Sequence, residues 1–132
     1  MEGKAAEALS AALRPLLRRL HSSMNDIEAV AVITADGLPL AAFLGERSDS
    51  DRFGAMCASL LALAGQAAEE IERGDLRQVL VEGDDGSMLL IRAGDHAVLA
   101  VAAGRAVNIG RVFLESRKVA DDVAAMVRHA GF

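Results

Sequence analysis

The chain has no tryptophan, no tyrosine and only four phenylalanines. Base-stacking platforms and sugar-binding surfaces need broad aromatic faces, so neither kind of ligand fits this composition. Lysine is nearly absent too, with two against twelve arginines, a usage associated with GC-rich bacterial genomes. The net charge is −5, and the arginines are scattered apart from a short cluster at Arg14, Arg18 and Arg19. Phosphate backbones require a concentrated positive face, which excludes nucleic acid as the main partner. The single cysteine, Cys57, rules out an internal disulfide and any multi-cysteine metal site. His21, His96 and His129 fall in separate elements without HxxxH or HxxE spacing, so no metal is expected.

Catalytic signatures are missing as well. There is no GxxxxGKS/T phosphate loop and no GxSxG elbow. GRAVNIG is not a GxGxxG fingerprint and reads as a turn followed by a helix start. Glu69, Glu70 and Glu72 read as the charged end of a helix rather than a carboxylate pair. No cofactor is expected and no set of residues supplies nucleophile, base and stabiliser, so the chain does not read as a stand-alone enzyme. The opening stretch MEGKAAEALS has no apolar core ahead of a cleavage site, so a cytoplasmic location is expected.

What the chain has in excess is apolar surface. Its hydrophobic fraction is 52% and its mean hydropathy +0.27, high for a 132-residue chain that reads as one domain. The excess is concentrated in residues 53–68, FGAMCASLLALAGQAA, which carry no charge. The run lies inside a helical pattern from about Ser50 to Arg73. Phe53, Met56, Cys57, Leu60, Leu63, Ala64, Ala67 and Ile71 recur at three and four and read as the face toward the protein's own sheet. Ala55, Ala58, Ser59, Ala62 and Gln66 occupy the other face, where a surface helix would place charge. A helix apolar most of the way round is buried on two sides. The run is shorter than a membrane span of roughly 20 residues, and charged turns flank it, so no membrane insertion is expected. A core helix of a monomer would need more cover than two further helices provide. A partner chain is therefore inferred.

In chain order, residues 4–22 read as a first helix with a stripe of Leu9, Leu13, Leu16, Leu17 and Leu20. Pro15 predicts either a kink or a start near Ala12, with residues 1–7 as a flexible lead. The arginine cluster reads as a solvated face. Residues 27–34 form a strand, Asp36-Gly37 a tight turn, and residues 38–44 a returning strand whose Pro39 belongs at an edge. Ser48 or Ser50 caps the second helix and Gly74 closes it. Strands at 76–82, 87–92 and 96–103 follow, each nearly continuous in apolar residues. Residues 108–129 form a third helix capped by Asn108, with Ile109, Val112, Phe113, Val119, Val123, Met126 and Val127 as its buried stripe. The expected fold class is α/β, more narrowly an α+β sandwich. It has one five-stranded, mainly antiparallel sheet with two helices on one face and one on the other.

Four stretches then stand together: VAVITADGLPLAA, the charge-poor helix, RQVLVEGDDGSMLLIRAGDHAVLAVAA, and GRAVNIGRVFLESRKVADDV. Their order and spacing resemble the Roadblock / dynein light chain family, of the bacterial small-GTPase regulator type. The resemblance implies a homodimer whose sheet runs on across the interface. Third strands would pair edge to edge through Gln78, Val79, Leu80, Val81 and Glu82, and central helices would lie side by side through Ala55, Ala58, Ser59, Ala62 and Gln66. Members of this family regulate or scaffold Ras-like small GTPases, and others are cargo-linked light chains of a microtubule motor. A GTPase partner would meet exposed parts of the central helices and the loops before them, with Arg47, Arg52, Ser59 and Gln66 as candidate contacts. Such a module acts by ordering a partner's switch loops or by inserting an arginine. The competing expectations are a structural adaptor indifferent to nucleotide and, with less support, a small-ligand sensor.

Overall fold

A computed structural model describes residues 3–45, 49–105 and 108–131. The elements are α1 (Gly3–Ser23), β1 (Ile27–Thr34), β2 (Pro39–Phe43), α2 (Ser50–Glu70), β3 (Gln78–Gly83), β4 (Gly86–Ala93), β5 (Ala97–Gly104) and α3 (Ile109–His129). The strands form one sheet in the order β2-β1-β5-β4-β3, with every neighbouring pair antiparallel. Alternation along the strands splits the interior in two. Val30, Val32, Leu89, Leu99 and Val101 face α1 and α3, while Ala31, Ile33, Leu90, Val98 and Ala100 face α2. Two helices thus cover one face and one covers the other.

α1 begins at Gly3 and continues through Pro15, so it does not start near Ala12, and residues 3–7 are helical. The five leucines of its stripe are buried on both sides of the proline, and Pro15 itself is exposed. The hydrogen bond that proline removes is lost on the solvent side, where water replaces it. Within the arginine cluster, Arg18 lies over the Phe43 ring at 5.7 Å and so helps cover edge strand β2. Pro39 opens that edge strand, the position where a missing donor costs least.

Caps differ in one place and agree in another. Asn108 Oδ1 accepts from the Arg111 N–H at 3.2 Å, as expected. α2 is capped by Asp49, whose Oδ1 accepts from the N–H groups of Asp51 and Arg52; Ser50 is already helical, and Ser48 lies outside the described residues. The helix also ends earlier than Arg73. The N–H of Glu72 reaches the Glu69 carbonyl and that of Arg73 the Ala68 carbonyl, with Glu72 at φ 57. This is a Schellman closure, with glutamate where glycine is usual, so Gly74 is not the stop. In α3, Val112, Val123 and Val127 are buried as expected, while Ile109, Phe113, Val119 and Met126 are only partly so. Ser116 and Ala120 complete the buried row, and Ser116 Oγ has no hydrogen-bond partner among the described residues.

Candidate functional site

The β1–β2 turn decides how α2 sits. Thr34 is buried; its Oγ1 donates to Asp36 Oδ1 and accepts from the Leu38 N–H at 2.9 Å. This fixes a turn whose Gly37 has φ 99, a conformation that disfavours side chains. Gly37 then lies against the first turns of α2. A Cβ on Gly54 would stand 2.3 Å from the Gly37 carbonyl oxygen, so the two backbones touch because neither residue carries a side chain. Small residues thus form the row nearest the sheet: Gly54 and Cys57 are buried with Leu61, and Ala58, Ala64, Gly65 and Ala68 are half-buried.

That contact rotates the helix relative to the sequence expectation. Met56, Leu63 and Ile71, assigned to the sheet, are 59%, 65% and 62% exposed. Ala58, assigned to the outer face, is half-buried beside Gly37. Ala55, Ser59, Ala62 and Gln66 are exposed, so the outer face carries those four together with Met56 and Leu63. It is more apolar than the sequence suggested. An open groove of about 510 Å³ runs beside it, lined by Phe53, Met56, Leu60 and Met88 among others. Large exposed apolar side chains gathered on one helix face mark an interaction surface.

The other expected contact residues lie on β3. β3 ends the sheet, and its outer edge has no strand partner among the described residues. Leu80 and Val81 are exposed, Val79 is half-buried and Glu82 is exposed. The register pairs Val81 with Met88, so Val81 faces the α2 side, and Leu80 with Leu89, so Leu80 faces the other. Gln78 is held by Arg117 of α3, whose Nε and Nη2 donate to Gln78 Oε1 at 3.3 and 3.1 Å. An edge strand that is apolar on both faces is a template for another strand. The structure places Val79 and Val81 on the sheet face that α2 covers, and Gln78 and Leu80 on the opposite one. Arg52 is exposed in the first turn of α2, and Arg47 lies outside the described residues.

Among the described residues of this region, the one cysteine is buried. Cys57 lies under α2, and burial pushes its thiol pKa up from 9.0 to about 11. It is a protonated core residue at neutral pH rather than a nucleophile. Because the folded value is the higher one, the stability this burial contributes is complete below pH 9 and is lost as pH rises toward 11. Cys57→Ala is expected to flatten the stability decline across that window, as read from denaturant midpoints at successive pH values. Among the described residues no cluster of three or more His, Cys, Asp or Glu is placed to hold a metal, and no helix is long and apolar enough to cross a membrane. A second groove between α1 and α3 is lined by alanines with Leu9, Met126 and His129, not by a convergent polar set for a small ligand.

The sequence profile of the Roadblock/LC7 domain matches residues 14–103, and the chain belongs to that family. It is 31% identical over 114 residues to the uncharacterised protein MJ0310 of Methanocaldococcus jannaschii, spanning 84% of this chain and 99% of that one. The Roadblock/LC7 domain from Streptomyces avermitilis superposes with a TM-score of 0.80 at 24% identity, over 86% of this chain and 95% of that domain. MglB of Myxococcus xanthus superposes with a TM-score of 0.81 at 17% identity, over 100% and 96% of the two chains. At these identities the two superpositions establish the shared fold.

The residues that sequence reasoning missed are Gly54, Met56 and Leu63. The usable signal was a row of small residues at helical spacing, Gly54, Ala58, Gly65 and Ala68, which marks the line of closest approach.

Proposed function

We propose that the chain is a dimeric, non-catalytic binding module that scaffolds or regulates a Ras-like small GTPase. The observation that carries this reading is the outer face of α2, where Met56 and Leu63 stand exposed beside small neutral residues. A second copy covers that face and extends the sheet through the β3 edge, from Gln78 to Glu82. Membership of the Roadblock/LC7 family supports both parts of the reading. The paired helices and the loops before them then form one continuous platform. Its candidate contacts to the GTPase are Arg47, Arg52, Ser59 and Gln66, wherever the second copy leaves them uncovered. Regulation acts by holding the GTPase's switch loops in one arrangement, in keeping with a sequence that has no GxxxxGKS/T phosphate loop.

The test is capture of a purified Ras-like GTPase from the same genome, loaded with GDP or with a non-hydrolysable GTP analogue. Binding to one nucleotide state in clear preference to the other is expected. Equal binding in both states points instead to a structural adaptor, and no binding in either counts against a GTPase partner.

A further inference from the structure

α2 is anchored along one half only. The core between the sheet and α1 with α3 holds 22 buried residues, and the core on the α2 side holds seven, of which α2 itself supplies only Cys57 and Leu61. Gly54 adds the backbone contact at Gly37, so the three buried residues of this 21-residue helix all lie at or before Leu61. Beyond Leu61, Ala64, Gly65 and Ala68 are half-buried and the other residues of 62–70 are exposed. A Cβ on Gly54 would stand 2.3 Å from backbone, whereas one on Gly65 would meet only Arg92 Nη2, at 3.9 Å. The second half of the helix thus rests near an exposed guanidinium and lacks the apolar burial that holds most protein helices in place.

That half is also weak as a helix. Residues 62–70 make about two and a half turns, and segments shorter than about 12 residues are marginal on their own in water. Gly65 sits in the middle of them and raises the backbone entropy cost. The last turn contains Glu69 and Glu70 and no base, the wrong sign for the negative end of the helix dipole. Its closure requires Glu72 at φ 57, a conformation that side chains disfavour. Further on the chain is fixed again. The Arg77 carbonyl accepts from the Arg92 N–H at 3.0 Å, and Arg117 holds Gln78. The weak stretch therefore has a firm boundary on each side.

We infer that residues 62–70 unwind as a unit in the single subunit while the rest of the fold stays closed, with Leu61 as the near boundary and Arg77 as the far one. Cys57 lies ahead of the boundary and keeps its cover. A partner seated on Leu63 and Gln66 meets that surface only in the wound form, so its binding shuts the opening. This second step rests on the platform proposed above; the opening itself does not.

The test is amide hydrogen exchange of the full chain, read by mass spectrometry. Single subunits come from dilution, and from Leu63→Glu where the unmodified chain stays dimeric. In single subunits, amides of residues 65–70 are expected to exchange at least about 100-fold faster than those of residues 16–20 in α1 and 123–127 in α3, and to keep that rate in about 1 M urea. Gly65→Ala and Glu69→Lys are each expected to slow them by about two- to fivefold. A thiol reagent is expected to label Cys57 at the slow rate of α1 and α3. Raising the concentration until sedimentation shows dimers is expected to protect residues 65–70. Exchange of these amides no faster than in α1 and α3, or unchanged by both substitutions, overturns the opening. Cys57 labelled as fast as they exchange overturns the boundary at Leu61. Dimers in which residues 65–70 stay unprotected overturn the closing step. A chain that opens as expected but is monomeric at every concentration keeps the opening and removes the platform.

Discussion

Gly54→Ala is expected to melt about 10 °C below wild type, and Gly65→Ala, the same change in the same helix, at or slightly above it. At position 54 the new methyl would stand 2.3 Å from the Gly37 carbonyl oxygen, which is backbone and cannot swing aside. Gly37 has no room to retreat, since its φ of 99 is tied to a turn held by Thr34 and Asp36. α2 must lift from the sheet or the turn must open, an overpacking penalty of about 3 kcal/mol. At position 65 the methyl would meet only Arg92 Nη2, at 3.9 Å. There the substitution removes the backbone entropy cost of a mid-helix glycine, worth up to about 1 kcal/mol. Differential scanning calorimetry at a single protein concentration reads both. Equal melting of the two variants would show that α2 is not seated through Gly54.

Leu63→Glu is expected to weaken dimerisation by more than about 100-fold, with little change to the subunit itself. Leu63 is 65% exposed in the single chain, so a carboxylate there stays in water and costs the fold almost nothing. In the proposed dimer the second copy covers this position, and two unpaired carboxylates would be taken out of water together. Ala58→Glu is the poorer probe, since Ala58 is half-buried beside Gly37 and its replacement strains the subunit as well. Sedimentation paired with thermal melting separates the two effects. A Leu63→Glu chain that still dimerises would place the contact elsewhere, with the α1–α3 groove as the next surface to test.

Most of the architecture was legible from periodicity. The leucine stripe of α1, the two-faced strands and the Asn108 cap each combine a side-chain type with a regular spacing, and these signals are local. What escaped was set by contacts distant in sequence. Apolar periodicity points the large residues of α2 inward, yet the turn at Gly37 demands the smallest residues beneath the helix and turns Met56 and Leu63 outward. The cap at Asp49 was hidden among three consecutive residues that can all cap, Ser48, Asp49 and Ser50. By residue type Gly74 is the better left-handed stop for the helix, yet Glu72 takes that conformation at its end. The strand order that leaves β3 at an edge depends on which strands meet across the chain, which no single stretch encodes.

Sedimentation equilibrium of the unmodified chain at micromolar concentration bears most directly on whether a second copy covers α2. The expected mass is twice the 13.8 kDa of one chain. A species that stays at 13.8 kDa throughout that range would contradict it.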